Sequence, residues 1–215
     1  MKFLITAGPT REPIDPVRYL SNRSSGKMGY AIAEAAIEAG HEVVLISGPV
    51  DVARPRGAAV IPVSTSDQMF DAVQRQVWNC DILVMCAAVA DYKPAKVSKS
   101  KIKKRGENIS LELLPTRDIL ASLAKQDRHF IVVGFAAETE NIEANARKKL
   151  REKDCDIIVA NDARIAMESD ENELTIFFRD GETKRISRAS KKIISRDLVK
   201  YFENCFEKRL TKKIT

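Results

Sequence analysis

The sequence predicts an α/β fold: a Rossmann-like, mostly parallel sheet with helices on both faces, plus a β-hairpin near the C-terminus. Short apolar runs typical of buried parallel strands alternate with helical patterns along the chain. A strong hairpin signal, Asp180-Gly181, separates two late strand patterns. No linker or internal repeat interrupts this alternation, so we expect residues 1–215 to form a single nucleotide-binding domain.

The composition indicates a globular protein that handles small anionic molecules. A chain of 215 residues with a hydrophobic fraction of 44% can bury a substantial core. The net charge of +6 suits the binding of phosphorylated small molecules. We find no basic face interleaved with aromatic residues, which would indicate nucleic-acid binding. We find no signal peptide and no apolar run long enough to cross a membrane, so we expect a cytoplasmic protein with no membrane partner.

Four cysteines occur, and none of them belongs to a CxxC pair. They are Cys80, Cys86, Cys155 and Cys205. We interpret them as core thiols in a reducing compartment. A catalytic thiol at Cys86 is the alternative, but its apolar neighbours argue against a reactive thiolate.

The first part of the chain predicts a strand, a polar loop and a helix. Phe3–Thr6 has the pattern of a strand, and glycines and prolines between residues 8 and 16 exclude a helix there. The spacing Ser24-x-Gly26-x-x-Gly29 then opens a helix over Tyr30–Ala39, whose N-terminus predicts an anion site. The alternative is a glycine-rich turn that binds nothing. A Walker A loop is excluded, because Gly26-Lys27 lacks both the upstream Gly and a following Ser or Thr.

The next stretch predicts three more strands and one helix. Glu42–Ser47 and Ile82–Cys86 are apolar enough for buried parallel strands, and Val60–Val63 is a shorter one. Between the last two we predict a helix over Asp67–Trp78, with Ser66 as its N-cap.

Small residues follow two of the predicted strands directly. Ala87–Ala90 comes after the strand that ends at Cys86, and Phe135–Ala137 comes after the strand Phe130–Gly134. Loops at the carboxyl ends of parallel strands commonly carry ligand sites. Tight helix packing would explain the alanines but not the following Asp91-Tyr92. Together with the loop after the first strand, these segments predict a nucleotide or dinucleotide site on one edge of the sheet.

Residues 93–108 form a polar, Lys-rich segment that ends near Gly106. Its cations are Lys99, Lys101, Lys103, Lys104 and Arg105. Such a run is usually a solvated surface. Because this one lies between core elements beside a predicted phosphate site, we interpret it as a flexible flap that closes over an anionic substrate. We refer to residues 93–108 as the Lys-rich flap.

The remaining elements complete the alternation. Ile109–Leu113 alternates like a strand, and Thr116 is predicted to cap the helix that follows. A helix over Asn141–Lys153 places Lys149 and Lys153 on one face, either in solvent or on the phosphates of a nucleotide.

The C-terminal part predicts a last parallel strand, a hairpin and a long helix. The strand covers Asp156–Ala160, and the hairpin strands cover Glu173–Phe178 and Glu182–Ile186. The helix runs from Ser190 to about Lys208, and we expect the basic tail over residues 209–215 to be frayed.

Five motifs spread along the chain point to one family. They are ITAGPTREPIDPVRYLSNRSSGKMG, CAAVADY, KIKK, GFAAET and IVAND. Together they resemble the bacterial type of phosphopantothenoylcysteine synthetase, also called phosphopantothenate–cysteine ligase, over nearly the whole chain. In many bacteria this enzyme is the C-terminal half of a fused coenzyme A biosynthesis protein, beside a flavin-dependent decarboxylase, and elsewhere it stands alone.

The resemblance implies a ligase that joins 4'-phosphopantothenate to L-cysteine. The pantothenate carboxylate attacks the α-phosphate of CTP, giving an acyl-cytidylate and pyrophosphate, and the cysteine amine then displaces CMP. Bacterial members typically use CTP, whereas eukaryotic relatives favour ATP. Mg²⁺ would accompany the triphosphate, and we predict no metal-binding residues of the protein itself. Family members are usually homodimers, and the Asp180-Gly181 hairpin is a candidate interface.

This chemistry requires positioning and charge stabilisation rather than a protein nucleophile. Cations must stabilise the charge that develops on the phosphates, and oriented hydrogen bonds must polarise the carbonyl. The sequence agrees, because we find no Ser/His/Asp or Cys/His arrangement. Neither His41 nor His129 is assigned a role.

Matches to the family motifs imply roles for individual residues. Asn22 and Lys101 are implied to be catalytic: the Asn22 amide donates to the polarised carbonyl, and Lys101 binds the triphosphate and assists the amine step. Arg18, Asn22 and Ala88 are implied to bind phosphopantothenate. The residues implied to bind the nucleotide are Met85, Cys86, Ala87, Asp91, Lys101, Arg117, Asp118, Ile119, Leu120, Phe135, Lys149 and Lys153.

Arg117 departs from the family pattern, which often has Pro-Asp at this point. The segment here is Arg117-Asp118. The loss of the proline restores a backbone N–H donor and adds a cation, so we expect the segment still to contact the nucleotide.

Two other functions remain open from the sequence. A Rossmann-type NAD(P)-dependent oxidoreductase would place an acidic residue at the end of the second strand, but Leu45–Pro49 contains none, and Ser24 replaces the first glycine of the fingerprint. A non-catalytic nucleotide-binding module is the second alternative, and the Lys-rich flap argues against it. Tight binding of NADPH would favour the first, and binding of CTP without turnover would favour the second.

Overall fold

The computed structural model describes residues 1–104, 106, 108–124, 126–162 and 170–214. In chain order the strands are β1 (Lys2–Ala7), β2 (Arg11–Pro13), β3 (Tyr19–Ser21), β4 (Glu42–Ser47), β5 (Ala59–Pro62), β6 (Ile82–Met85), β7 (Tyr92–Pro94), β8 (Leu113–Pro115), β9 (Ile131–Glu138), β10 (Ile157–Asp162), β11 (Glu171–Phe178) and β12 (Thr183–Ser190). The helices are α1 (Lys27–Glu38), α2 (Ser66–Gln76), α3 (Ile119–Leu123), α4 (Ile142–Glu152) and α5 (Lys191–Ile214). A 3₁₀ turn, Val77–Asn79, follows α2.

The main sheet has eight strands in the order β12-β11-β10-β9-β6-β1-β4-β5. The strands from β10 to β5 in that order are parallel to their neighbours. The predicted hairpin, β11 and β12, is antiparallel and extends the β10 edge of the same sheet. The predicted fold class, a mostly parallel α/β sheet with a late hairpin, is confirmed.

The two faces of the sheet carry separate hydrophobic cores. Alternate residues of β1 point to opposite faces: Phe3 and Ile5 join the core under α1 and α5, whereas Leu4 joins the core under α2, α3 and α4. Because both faces are covered, the parallel strands are apolar without alternation, which is the pattern that predicted them.

Two of the predicted helix caps are wrong by one or two residues. Thr65, not Ser66, caps α2 through a capping box, in which its hydroxyl accepts from Gln68 N at 3.2 Å and the Gln68 side chain accepts from Thr65 N. Asp118, not Thr116, caps α3 by accepting from Ala121 N at 2.8 Å. In each stretch more than one polar residue could cap the helix. The sequence alone did not show which residue adopts the extended backbone of an N-cap.

Two short antiparallel pairs lie outside the main sheet. β2 pairs with β3, and β7 pairs with β8; we call these the β2–β3 arm and the β7–β8 arm. The predicted strand over Ile109–Leu113 is wrong, because the segment that pairs is Leu113–Pro115, opposite Tyr92–Pro94. Each of these strands has three residues, too few to show a periodicity in the sequence.

The last helix is longer than predicted. It extends to Ile214 rather than ending near Lys208, so residues 209–214 are helical instead of frayed, while Thr215 lies outside the described residues. Arg209 explains the extension, because its guanidinium donates to Phe130 O at 3.1 Å and to Arg128 O at 3.0 Å. Across the described residues, the helices are too short or too polar to cross a membrane. Arg105, predicted as part of the Lys-rich flap, also lies outside those residues.

Candidate active site

The loops after β1 and β6 meet at the centre of the carboxyl edge. From β1 the chain adds β4 and β5 on one side, then returns to place β6, β9 and β10 on the other. Thr10 N donates to Ala88 O at 3.2 Å, and Ala88 N donates to Gly8 O at 2.9 Å. Open α/β sheets bind ligands at such a topological switch point. The structure therefore brings together two of the loops predicted to carry the site. The third segment, Phe135–Ala137, was predicted to follow its strand but lies within β9, because the strand continues to Glu138 beside β10.

Two buried threonines hold the backbone after β6. Thr6 Oγ1 accepts from Ala87 N at 3.2 Å, and Thr10 Oγ1 accepts from Ala90 N at 2.9 Å. These contacts fix the segment that contains the predicted substrate residue Ala88. Sequence reasoning missed both threonines, because their role depends on β1 and β6 being neighbours, and only the sheet order shows this.

Asn22 lies directly over this segment. Its Nδ2 donates to Ala88 O at 2.8 Å. Residue Ser21, the last of β3, donates its hydroxyl to Thr10 O at 2.7 Å, so the β2–β3 arm ends on the switch point. Asn22 and Ala88, predicted to bind the same substrate, are thus in direct contact. That they bind it stays a prediction.

Glycines bring the N-terminus of α1 close to the end of β1. Gly26 is the N-cap residue and has a φ of +76°, which favours glycine. A Cβ on Gly29 would stand 2.6 Å from the Ala7 Cβ, so this position also requires glycine. The fingerprint spacing is therefore explained by helix–strand packing at an edge where the backbone N–H groups of α1 face the loops of the site.

A cavity of about 390 Å³ lies beside the switch point, and its lining matches the predicted nucleotide site. Its lining includes every residue implied to bind the nucleotide other than Cys86 and Lys101. The cavity is lined by Met85, Ala87, Val89, Asp91, Thr116, Arg117, Asp118, Ile119, Leu120, Phe135, Lys149 and Lys153. Residues from four separate segments of the chain thus converge on one space.

Two lysines, Lys149 in α4 and Lys153 at its C-cap, line this cavity and are held in place. Lys149 Nζ donates to Phe135 O at 2.7 Å, and Lys153 Nζ lies 2.5 Å from Asp118 Oδ2. Burial would raise the pKa of the Asp118 carboxyl, but the Ala121 N–H, the Lys153 ammonium and the charge of Lys149 outweigh it and lower the pKa. The pair predicted on one helix face therefore supplies fixed positive charge at the cavity wall.

The side chain of Arg117, a residue of the cavity lining, is bound to α2. Its Nε lies 3.0 Å from Asp67 Oδ1 and its Nη2 lies 2.9 Å from Asp71 Oδ1. The guanidinium also stacks on Phe70, with 4.0 Å between Cζ and the ring centroid. Lys93, at the base of the Lys-rich flap, pairs with the same Asp67. The cation that the sequence predicted for the nucleotide is thus used to hold the cavity wall.

Arg18 and the Lys-rich flap meet at a second cluster. Arg18 Nη1 pairs with Asp15 Oδ2 at 2.9 Å, and Arg18 Nη2 donates to Ile102 O at 3.0 Å. Burial would raise the pKa of the Asp15 carboxyl, but hydrogen bonds from the N–H groups of Val17, Ile102 and Arg18 outweigh it and leave the pKa below its usual value. The neighbouring Lys101 side chain is exposed.

A smaller cavity of about 330 Å³ adjoins Asn22 between the β2–β3 arm and the segment after β4. Three cationic residues line it: Arg11, Arg23 and Lys27. Lys27 pairs with Asp170 at 2.6 Å, and Arg11 stacks on Tyr19. This space lies beside Asn22 and is lined by cations. It is therefore the candidate site for an anionic group of the predicted substrate phosphopantothenate.

The thiols do not have the properties of nucleophiles. Burial raises the pKa of Cys86 to about 12, and the same cause raises the pKa of Cys80 and Cys155 to about 12 and that of Cys205 to about 11. A thiolate is the reactive form, so these groups are poor nucleophiles near neutral pH. The described cysteines are free, in agreement with the interpretation as core thiols.

Two further features lie apart from the predicted residues. A larger cavity, about 930 Å³, lies between α5 and the β11–β12 hairpin, and several of its charges form ion pairs: Arg179 and Arg209 with Asp156, and Lys184 with Glu182. Over the described ranges, the His, Cys, Asp and Glu side chains form no group of three or more that could hold a metal ion.

The chain matches a family model described as the DNA/pantothenate metabolism flavoprotein C-terminal domain, over residues 1–205. It is 48% identical to the coenzyme A biosynthesis bifunctional protein CoaBC of Bacillus subtilis (strain 168) over 200 residues, which are 91% of this chain and 49% of that protein. Against CoaBC of Escherichia coli (strain K12) the identity is 46% over 189 residues, covering 85% of this chain and 47% of the relative. The chain thus spans about half the length of the curated relatives it matches.

A solved structure corresponds to the half of CoaBC that this chain matches. The crystal structure of the C-terminal domain of CoaBC superposes with a TM-score of 0.84 at 42% identity, covering 96% of each chain. The similarity therefore extends over the whole sheet, the arms and the loops of the site.

Proposed function

The chain belongs to the family of the DNA/pantothenate metabolism flavoprotein C-terminal domain, and from this we propose that it joins 4'-phosphopantothenate to L-cysteine to form 4'-phosphopantothenoyl-L-cysteine. The relatives are bifunctional proteins of coenzyme A biosynthesis, and the chain matches the half whose structure is solved as the C-terminal domain. The observation that carries the proposal is the convergence on one switch point of the Asn22–Ala88 contact and the cavity lined by Lys149 and Lys153.

The reaction proceeds in two steps in the proposed site. A carboxylate oxygen of 4'-phosphopantothenate attacks the α-phosphorus of the nucleotide, forming an acyl-nucleotide and releasing pyrophosphate. The cysteine amine then attacks the acyl carbon, the amide C–N bond forms, and the nucleoside monophosphate leaves with the former carboxylate oxygen. The amine loses a proton in this step. Activation is needed because a free carboxylate has no good leaving group for an amine to displace.

The proposed roles follow the geometry of the site. The nucleotide occupies the cavity of about 390 Å³, where Lys149 and Lys153 face its anionic part. Asn22 donates to the acyl carbonyl over Ala88, and Lys101 reaches the triphosphate from the Lys-rich flap. Arg18, together with the cationic cavity beside Asn22, binds phosphopantothenate. Positioning and electrostatic stabilisation of this kind need no protein nucleophile, in agreement with the raised thiol pKa values.

We propose CTP as the nucleotide, accompanied by Mg²⁺. The relatives reported above are bacterial, and bacterial members of the resembling ligase family typically use CTP. Mg²⁺ retains several waters and is bound through phosphates and one or two carboxylates, so the triphosphate would be its main ligand. Asp91 is an exposed carboxylate on the lining of the nucleotide cavity and is the protein group best placed to contact the hydrated ion.

We further propose that the protein is a homodimer formed through its two arms. Large apolar side chains are exposed there: Val17, Tyr19, Tyr92, Leu113 and Leu114. Exposed apolar side chains grouped in one region are typical of a protein–protein interface, and these side chains support the arms over the Asp180-Gly181 hairpin as the contact surface. A molar mass of one chain in light scattering at micromolar concentration would argue against the dimer. The cytoplasmic location remains a prediction.

An oxidoreductase is less well supported than the ligase. The end of β4, where a dinucleotide-binding protein carries its acidic ribose ligand, has Ser47-Gly48-Pro49 here. Ser47 bonds to the Tyr30 hydroxyl at 2.9 Å, and a Cβ at Gly48 would stand 1.9 Å from Pro9 O. The chain therefore lacks the acidic residue at the end of β4 that an oxidoreductase of this type would use.

The proposal is tested by turnover of the purified protein. It is incubated with 4'-phosphopantothenate, L-cysteine, Mg²⁺ and either CTP or ATP, and pyrophosphate and the coupled product are measured, the latter by mass spectrometry. We expect both products with CTP. Products with ATP alone would retain the ligase and reject CTP. Nucleotide binding without pyrophosphate release, from folded protein, would instead support a non-catalytic module.

A further inference from the structure

Asp15 is a buried carboxylate to which the proposed function gives no task. It lies in the loop between β2 and β3, and its side chain is fully shielded from solvent. Oδ1 accepts from the N–H groups of Val17 and Arg18 at 2.8 and 2.9 Å, and Oδ2 accepts from Arg18 Nη1 at 2.9 Å and from Ile102 N at 3.1 Å. A buried charge is tolerated only when it is paired and hydrogen-bonded. The Asp15 carboxylate meets both conditions.

The Asp15–Arg18 pair holds both polar backbone groups of one flap residue. The Ile102 N–H donates to Asp15, and the Ile102 carbonyl oxygen accepts from Arg18 Nη2 at 3.0 Å. Close by, Ser98 N donates to Ile14 O at 3.0 Å. Residues 98–102 of the Lys-rich flap therefore have a defined place on the loop that precedes β3, although the two segments are more than 80 residues apart in the chain.

The loop that contains Asp15 also links the two proposed catalytic residues, Lys101 and Asn22. Ile102 directly follows Lys101, and the loop that contains Asp15 continues through β3 to Asn22. The contacts that link Lys101 to Asn22 thus pass through the Asp15–Arg18 pair and through the bond from Ser98 N to Ile14 O. Because a misplacement of about 1 Å can cost about 10²-fold in rate, such a link matters for a reaction that depends on positioning.

We propose that Asp15 is a positioning residue that sets the place of Lys101 relative to Asn22 by holding Arg18 and the Ile102 peptide. The inference rests on the proposed ligase function and deepens it. Asp15 itself contacts no substrate in this arrangement. A carboxylate is required because all four partners are donors and each oxygen accepts from two of them, so the NH₂ group of an asparagine would face two donors.

The first test is a double-mutant cycle between Asp15→Asn and Lys101→Gln. Alone, D15N should lower kcat about 10- to 100-fold with little change in the KM for the nucleotide, whereas Asp127→Asn, at an exposed acid away from the site, should leave both unchanged. In the K101Q background, D15N should have no further effect. A loss by the same factor in both backgrounds would contradict the proposal.

A second variant removes the other side of the same bond. Ile102→Pro deletes the N–H that Asp15 accepts but leaves Asp15, Val17 and Arg18 intact. It should lower kcat by a similar factor to D15N, and the two changes together should cost no more than either one. Normal turnover of Ile102→Pro would overturn the proposal even if D15N failed to fold.

Hydrogen exchange supplies a measurement that does not depend on turnover. In D15N the amides of residues 98–102 should exchange at least about tenfold faster than in the wild type, while those of β6 keep wild-type rates and so report an intact fold. Equal rates at Ile102 in both proteins would overturn the proposal. If the wild type forms no product, the ligase function fails, and the exchange result alone decides the role of Asp15.

Discussion

The side-chain amide of Asn22 donates a hydrogen bond to the carbonyl oxygen of Ala88 across 2.8 Å. This bond joins the loop after β3 to the loop after β6, which are 66 residues apart in the chain. It also fixes the orientation of the amide, because only Nδ2 can donate, and the second N–H of the group is then available to a ligand.

Replacement of Asn22 by aspartate should separate the two proposed chemical steps. A carboxylate cannot donate to the acyl carbonyl, so Asn22→Asp should let the acyl-cytidylate accumulate and should lower the rate of the final product by about 10²-fold or more. Mass spectrometry of quenched reactions measures both species. The matched control is Asn79→Asp, an exposed site in the 3₁₀ turn after α2. Normal conversion to product in Asn22→Asp would remove Asn22 from the mechanism.

Lys101 should be needed for turnover but not for folding. Lys101→Gln removes a cation from the Lys-rich flap, so kcat should fall by about 10²-fold or more while the thermal unfolding temperature stays at the wild-type value. Lys104→Gln, an exposed lysine of the same flap, should retain most of the activity. The measurement is pyrophosphate release under saturating substrates. Equal activity of the two variants would show that the flap contributes only general positive charge.

Arg117 should act through the shape of its side chain rather than through its charge. Both Arg117→Ala and Arg117→Lys lose the stacking on Phe70 and the paired contacts to Asp67 and Asp71. Because an exposed cation–π contact is worth about 0.5–1 kcal/mol and surface ion pairs add little, the KM for the nucleotide should rise about two- to fivefold in both variants. The control is Arg75→Lys, a substitution on α2, the helix that Arg117 contacts. A wild-type KM for Arg117→Lys alone would mean that the cation itself acts on the phosphates.

The stability of the fold should depend on pH through Asp154. Burial would raise the pKa of this carboxyl, but Arg128 and Arg179 outweigh it and hold the pKa below the reference value of 3.8. A lowered pKa in the folded state contributes stability above pH 3.8 that is lost as the pH falls through the folded-state value. Urea unfolding should therefore show Asp154→Asn less stable than the wild type at neutral pH, with the difference shrinking below pH 3.8. A difference that does not change with pH would contradict this account.

The main sheet could be predicted because its central parallel strands are apolar and buried on both faces. Glu42–Ser47 has the same bounds in the sequence pattern and in the structure. The apolar run Ile82–Met85 was sufficient to predict β6 for the same reason. The two arms could not be predicted, since strands of three residues leave no periodic signal and their pairing depends on partners far along the chain.

The residues that line the cavity of about 390 Å³ could be anticipated from the sequence, but their contacts could not. The family resemblance named most of the lining of this cavity, including Lys149 and Lys153. It did not show that Arg117 binds α2, because a charged residue next to a binding segment has the same pattern whichever way it points. Nor did it show the role of Asp15, whose partner Ile102 lies 87 residues away in the chain.

The most direct measurement of the proposed ligase reaction uses 4'-phosphopantothenate labelled with ¹⁸O in its carboxylate. After turnover with CTP and L-cysteine, one ¹⁸O should be found in the phosphate of CMP and none in pyrophosphate, because the oxygen that attacks the α-phosphorus stays bonded to it when the amine displaces the nucleotide. Mass spectrometry of the two products reads the label. Label in pyrophosphate or inorganic phosphate, or coupled product accompanied by unlabelled CMP, would contradict an acyl-cytidylate intermediate.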